Sequence, residues 1–293
     1  MSGAPDPNRE AARPNRDVRL PGGLTLRALI PNAITASALA FGLTGIRFAI
    51  AAASGEPAVS VPGAGLPLGD WEKAVLAVIL AGMLDGIDGR IARLLKAQSR
   101  FGAELDSLAD SISFGVAPAL ILFLWTLQDV PRLGWLASLA FAICCVLRLA
   151  RFNARIDMAD QPHKSAGFLT GVPAPVGAGL AFLPLYLWFA TGNEAFREPA
   201  LVGGWLVVIA FLMISNLATL SWTSARPRKA IRLELLAGLA LLGGALLTEP
   251  WWTLVAICLG YLATVPFGVI GYARVRRQRA VRAAADAAAG PNA

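Results

Sequence analysis

The sequence predicts an all-α fold: a polytopic membrane helical bundle of about eight transmembrane helices with both termini cytoplasmic. Three observations carry this reading. The 293-residue chain is 56% hydrophobic and only 15% charged, where an average globular protein is roughly 25% charged, and its mean hydropathy is +0.59. Its apolar residues gather into runs long enough for a bilayer core of about 30 Å. Its basic residues gather between alternate runs.

In chain order, residues 1–27 hold five arginines and no apolar core region, so they read as a polar cytoplasmic arm rather than a cleavable signal peptide. Eight spans follow, at roughly 30–53, 72–95, 103–127, 133–153, 171–191, 201–220, 232–248 and 251–273. They are helices because backbone in lipid must be hydrogen-bonded within its own segment. The period-two alternation of an outer-membrane barrel is absent. Before the fifth span, "GVPAPVG" places Pro173 and Pro175 where they shape the start of a helix. The sixth span contains Ser215 and Asn216, to which no role can be derived, and the last two spans carry no recognisable motif. Residues 28–273 thus form one membrane domain, and 274–293 form a basic, Ala-rich cytoplasmic tail.

The charge of +7 is topological. Five groups (the arm, 90–100, 148–164, 226–232 and 274–282) hold 22 of the 26 Lys and Arg residues. The intervening loops hold Arg132 and Arg197 among Glu56, Asp70, Glu72, Asp129, Glu194 and Glu198. Alternation of this kind is the positive-inside pattern and argues against a nucleic-acid footprint. Cys144, Cys145 and Cys258 lie inside spans as buried thiols, with no disulfide framework. His163 is the only histidine, so histidine-based metal sites and Ser-His triads are excluded, and acid–base chemistry falls to carboxylates.

Those carboxylates are concentrated in "DGIDGRIARLLKAQSRFGAELDSLAD", residues 85–110. Asp85 and Asp88 share one face at the end of the second helix, and Asp106 and Asp110 share one face near the start of the third. The short connection makes these helices antiparallel neighbours, so the two acidic faces can meet. Four carboxylates at such range are tolerated together only with a cation between them. Oxygen-only donors favour Mg²⁺ or Mn²⁺ over zinc, and four carboxylates suffice for two divalent ions. Ionisable residues at membrane depth point to function. Gly89 removes a side chain where a ligand approaches the backbone, and Ala92 keeps the next turn small. Arg93 offers a planar fork for phosphate oxygens, and Gly102 permits close helix approach. Together these suggest a diphosphate substrate and phosphoryl transfer by charge neutralisation and alignment.

The pattern Asp85-x2-Asp88-Gly89-x2-Ala92-Arg93-x8-Gly102-x3-Asp106-x3-Asp110 resembles the complete signature of the CDP-alcohol phosphatidyltransferase family. The resemblance implies transfer of a phosphatidyl group from a CDP-lipid to an alcohol, with release of CMP. It implies that Asp85, Asp88, Asp106 and Asp110 hold two divalent ions and that Asp110 is the base. It also implies that Gly89, Ala92, Arg93, Ser99 and Gly102 bind the CDP-lipid. "PNAIT" in the first span is similar to the family's Pro-Asn-x-x-Thr element, which sets Asn32 and Thr35 at the nucleotide site; otherwise they are local backbone partners at a helix start.

Flanking blocks, "SRFGAELDSLADSISFGVAPALI", "RLARFN", "GFLTGVPAPVGAG" and "LMISNLATLSW", resemble the bacterial integral-membrane phosphatidylserine synthases. That implies CDP-diacylglycerol and L-serine as substrates, the bacterial inner membrane as location, an active site at its cytoplasmic face, and a homodimer. Arg148, Arg151 and Asn153 lie near the cytoplasmic end of the fourth helix, where an arginine could pair with the serine carboxylate. Positive-inside anchoring to lipid phosphates explains the same arginines. Glycerol 3-phosphate, inositol phosphate or choline remain alternative acceptors. A divalent-cation or Na⁺-coupled transporter fits less well, because the acids gather at one membrane face and no broken helix pair appears in matching halves. An intramembrane prenyltransferase would place two Asp-rich motifs on distant helices.

Overall fold

The computed structural model describes residues 26–55, 68–156, 168–215, 218–220 and 232–267. The tail 274–293, most of the arm 1–27, His163, Asn216 and the basic group 226–231 lie outside the described residues. The fold is a helical bundle, and among the described residues five helical stretches are long and apolar enough to cross a membrane: Leu29–Ser54, Arg100–Trp125, Pro131–Ala154, Ala174–Thr191 and Pro250–Phe267.

Helix α1 runs Leu26–Ser54 and α2 runs Asp70–Leu94. The start of α2 is fixed by Glu72, whose carboxylate accepts the Gly69 amide at 2.8 Å, and by acidic Asp70 and Glu72 in the first turn, where they oppose the positive end of the helix dipole. Its far end is a Schellman turn: Lys96 adopts φ 51°, with its amide donating to Arg93 and that of Ala97 to Ala92. The chain reverses there. Ser99 then caps α3 (Arg100–Asp110) by accepting the Gly102 amide at 3.0 Å.

Helix α3 passes without a break through a π-helical segment, Ser111–Val116, into α4 (Ala117–Trp125). Within it the Ala117 amide donates to Ile112, five residues back. Wider turns of this kind carry one extra residue and occur mostly at functional sites. This one lies at the meeting point of three helices. Ser113 sits against Gly42 of α1, Phe114 against Gly82 of α2, and Gly115 against Cys145 of α5 (Pro131–Ile156). A Cβ at Gly42 would fall 2.5 Å from Ser113 Oγ and 2.9 Å from Ser113 Cα. Gly42→Val is therefore expected to separate α1 from the π segment and to destabilise the bundle by about 1–3 kcal/mol, the usual range for overpacking. Thermal unfolding of the detergent-solubilised protein measures this.

The other elements depart from the sequence expectation in two places. The fifth span, 171–191, is two helices, α6 (Ala174–Ala181) and α7 (Leu183–Thr191), joined at Phe182. Pro184 lies in the first turn of α7 and has no amide to continue the ladder. Pro173 and Pro175 start α6 as expected. The sixth span, 201–220, is a helix only as α8 (Pro199–Ile214). Arg151 ends it from α5, its Nη1 donating to the Ile214 carbonyl at 2.9 Å and its Nη2 to Ser215 at 3.2 Å. The chain then turns into a three-residue strand, β2 (Ala218–Leu220), antiparallel to β1 (Phe168–Thr170). This ladder is the sole sheet among the described residues. Gly171 makes it fit: φ is +73°, and a Cβ would meet the Met213 carbonyl at 2.5 Å. Helices α9 (Arg232–Thr248) and α10 (Pro250–Phe267) are the last described elements. α10 packs Trp251 against Phe189, with ring centroids 4.4 Å apart.

Large side chains fill the centre, among them Trp125, Tyr186, Phe114, Phe141 and Phe182. Leucines such as Leu133, Leu136 and Leu247 face outward, as suits a surface solvated by lipid. At the end of α4, Arg197 clasps the bundle by donating to the Trp125 carbonyl at 3.1 Å while lying over the Trp188 ring. That clasp is about 22 Å along the rod from Asp110, at 1.5 Å per residue.

Candidate active site

The acidic site forms where the last turns of α2 face α3. The Schellman turn at Lys96 and the Ser99 cap make the connection tight, so the pairs Asp85/Asp88 and Asp106/Asp110 face one another. Single carboxylate oxygens of Asp85, Asp88 and Asp106 all lie within 4.8 Å of one another. Asp110 stands beside this triple, with its carboxyl group in hydrogen-bond contact with that of Asp85. Asp88 is buried, whereas Asp85, Asp106 and Asp110 are partly open.

This donor set fits a hard divalent ion. Ligands at 2.0–2.1 Å in an octahedron stand about 3–4.2 Å from one another, so a small closure brings the three oxygens onto one ion. Among the described residues, no histidine or cysteine joins the group. Like charges so close would otherwise repel. The acidic cluster could therefore hold a metal through Asp85, Asp88 and Asp106.

The remaining candidate residues surround this centre unevenly. Asn32 and Thr35 come from the first turns of α1. Thr35 is buried and its Oγ1 donates to Asp88 Oδ2 at 2.6 Å. A Cβ on Gly102 would lie 2.9 Å from Asn32 Oδ1 and 3.1 Å from Ser99 Oγ, so Gly102 brings the starts of α1 and α3 together. Open space lies in front of Gly89, and Ala92 sits on the following turn. Arg93 is exposed and curls back, its Nε donating to the Gly89 carbonyl at 3.0 Å. Ser99 has its hydroxyl engaged as the α3 cap.

On the opposite side, α5 contributes Arg148, which interacts electrostatically with Asp110 and Cys145. Its Nε is buried without a hydrogen-bond partner, an arrangement that is costly unless something completes it. Arg151 spends its fork on the end of α8. Asn153 donates to Ser107 Oγ at 2.7 Å, one residue from Asp106. Below the carboxylates, Pro175 approaches Gly82, one turn before Asp85. Sequence reasoning missed the Thr35–Asp88 bond, the Asn153–Ser107 bond and the π segment that begins one residue after Asp110. The first two link residues 53 and 46 positions apart and have no local signal.

Paired carboxylates on two antiparallel helices of a membrane bundle define an integral-membrane protein with an acidic, oxygen-donor site that could hold a metal. The chain belongs to the CDP-alcohol phosphatidyltransferase family, whose profile matches residues 28–222. A second profile, described as CDP-alcohol phosphatidyltransferase 2, matches residues 230–266. This corrects the expectation that the last two helices carry nothing recognisable. The chain is 36% identical over 242 residues to the CDP-diacylglycerol–serine O-phosphatidyltransferase of Mycobacterium bovis, covering 82% of this chain and 78% of that protein. The protein of that name from Mycobacterium leprae is 36% identical over 244 residues, covering 82% and 74%. The one from Helicobacter pylori is 34% identical over 193 residues, covering 64% and 70%.

Proposed function

We propose that this protein is a phosphatidylserine synthase, transferring the phosphatidyl group of CDP-diacylglycerol to the hydroxyl of L-serine and releasing CMP. The observation that carries the reading is the meeting of all four aspartates of the family spacing at one end of two helices. Likeness over 82% of the chain to relatives named CDP-diacylglycerol–serine O-phosphatidyltransferase supports the acceptor.

Asp85, Asp88, Asp106 and Asp110 would hold two ions, Mg²⁺ or Mn²⁺. Bound there, they would neutralise the diphosphate and stabilise the charge passing to CMP. Asp110 takes the proton of the serine hydroxyl. The serine oxygen forms a bond to the lipid-side phosphorus as the bond from that phosphorus to the bridging oxygen breaks, and CMP leaves with the bonding pair. Asn32, Ser99 and Gly102, gathered where α1 meets α3, and Gly89, Ala92 and Arg93 on α2 frame the CDP-lipid. Thr35, which the family element sets at the nucleotide site, stands behind this frame with its hydroxyl on Asp88. The open space before Gly89 admits the diphosphate, and the exposed Arg93 guanidinium swings onto its oxygens.

Arg148 receives the serine carboxylate, because its buried Nε has a donor to spare and its guanidinium lies within electrostatic reach of Asp110. Arg151 and Asn153 shape that pocket by fixing α8 and α3 around it. Arg148→Ala is expected to raise the KM for serine about 10-fold or more, the cost of a lost charge-assisted pair, and to leave the KM for CDP-diacylglycerol within about two-fold. Equal changes in both constants would remove Arg148 from the acceptor pocket. The charge distribution supports a cytoplasmic active site in the bacterial inner membrane, with both termini on that side. Residues 28–273 act as one catalytic membrane domain, working as a homodimer. CMP release that requires L-serine tests the assignment.

A further inference from the structure

We infer that Thr35 is a positioning residue for Asp88: its hydroxyl holds Oδ2 and thereby sets the carboxylate oxygen that Asp88 presents to Asp85 and Asp106. This deepens the proposed function and rests on reading those three carboxylates as metal ligands. It also differs from a place for Thr35 in the nucleotide wall.

The hydroxyl is 2.6 Å from Asp88 Oδ2 and 3.1 Å from the Pro31 carbonyl. It has one proton to give. The carboxylate is the nearer and the charged acceptor, so it takes the main share and Pro31 the minor one. A hydroxyl so engaged has no proton for a diphosphate oxygen. Thr35 and Asp88 are 5% and 3% exposed, so water does not compete for this bond, whereas Asp85 and Asp106 are partly open. Helix α1 is also locked in register. Gly45 lets it approach the Ala74 carbonyl of α2, and Gly42 lets it approach Ser113. The donor therefore arrives at a fixed height from an element that carries none of the four aspartates. Partners behind a ligating carboxylate fix its orientation, and losing one typically costs about 10–100-fold in metal affinity or activity.

The test is a Mn²⁺ titration of the purified full-length protein without substrate, followed by electron paramagnetic resonance. Thr35→Val and Thr35→Ala are expected to weaken Mn²⁺ binding about 10- to 100-fold. Thr35→Ser, which keeps the hydroxyl, should stay within about three-fold of the parent. At saturating Mn²⁺ the KM for CDP-diacylglycerol should move less than the Mn²⁺ affinity does. Unchanged Mn²⁺ binding in Thr35→Val or Thr35→Ala, or a loss in Thr35→Ser as large as theirs, overturns the positioning role. A raised CDP-diacylglycerol KM with unchanged Mn²⁺ binding returns Thr35 to the nucleotide wall. Failure of the parent protein itself to bind Mn²⁺ refutes instead the reading of the aspartates as ligands.

Discussion

Asp110→Asn is expected to lower CMP release at least about 100-fold, the smaller end of what a positioned acid–base group contributes, while the protein still binds CDP-diacylglycerol with its metal. The amide keeps the shape of the carboxylate and one oxygen, but cannot accept the serine proton. Asp110 is the right residue for this loss because of where it stands. Three of the four carboxylates bring oxygens within 4.8 Å of one another; Asp110 lies beside them, against Asp85 on one side and within electrostatic reach of Arg148 on the other. Of the four carboxylates, it is the one that acts electrostatically on Arg148, the proposed acceptor residue. Its backbone is held by the π segment that follows directly. Quenched-flow measurement of CMP with serine saturating separates the chemical step from binding. Turnover in Asp110→Asn near that of the parent would remove the base assignment.

Asp106→Asn is expected to fail one step earlier. Asp106 is the one member of the close triple supplied by α3, so its loss reduces that triple to the two carboxylates of α2, three residues apart. The affinity for Mn²⁺ should fall by more than about 100-fold, the upper end of the cost of losing merely a ligand's supporting partner. CMP release should fall with it and should recover in part at high Mn²⁺, which distinguishes this variant from Asp110→Asn. Chelation should silence the parent protein in the same way, reversibly on adding Mg²⁺ or Mn²⁺. Activity that persists in excess chelator would contradict a metal-dependent centre.

The parts of the fold legible in the sequence were those written in local composition. Long apolar runs marked the helices, and the polar "KAQSRFG" between two acid-bearing runs marked the reversal that brings the aspartates together. The fixed spacing of eight positions from Asp85 to Asp110 marked the family. Illegible features depend on partners far along the chain. Nothing within 201–220 announces that the helix stops at Ile214, because the cause is Arg151 reaching over from α5. The break at Phe182 was foreshadowed only by Pro184, which a membrane helix often accommodates. The π segment is a one-residue shift in hydrogen bonding that leaves no trace in hydropathy. The structure also changes how several site residues read. Ser99 caps α3 and Arg151 caps the end of α8, while Asn153 bonds Ser107. All three therefore act on the site at least partly by placing the helices that carry it.

The acidic centre is expected to pass a phosphatidyl group from CDP-diacylglycerol to serine. The most direct measurement of this uses the purified protein in vesicles containing CDP-diacylglycerol and Mn²⁺, supplied in turn with L-serine, glycerol 3-phosphate, inositol phosphate and choline. The predicted result is CMP release with L-serine alone, with phosphatidylserine formed in equal amount. Release only with one of the other alcohols would contradict the acceptor, and no release with any of them would contradict the account as a whole.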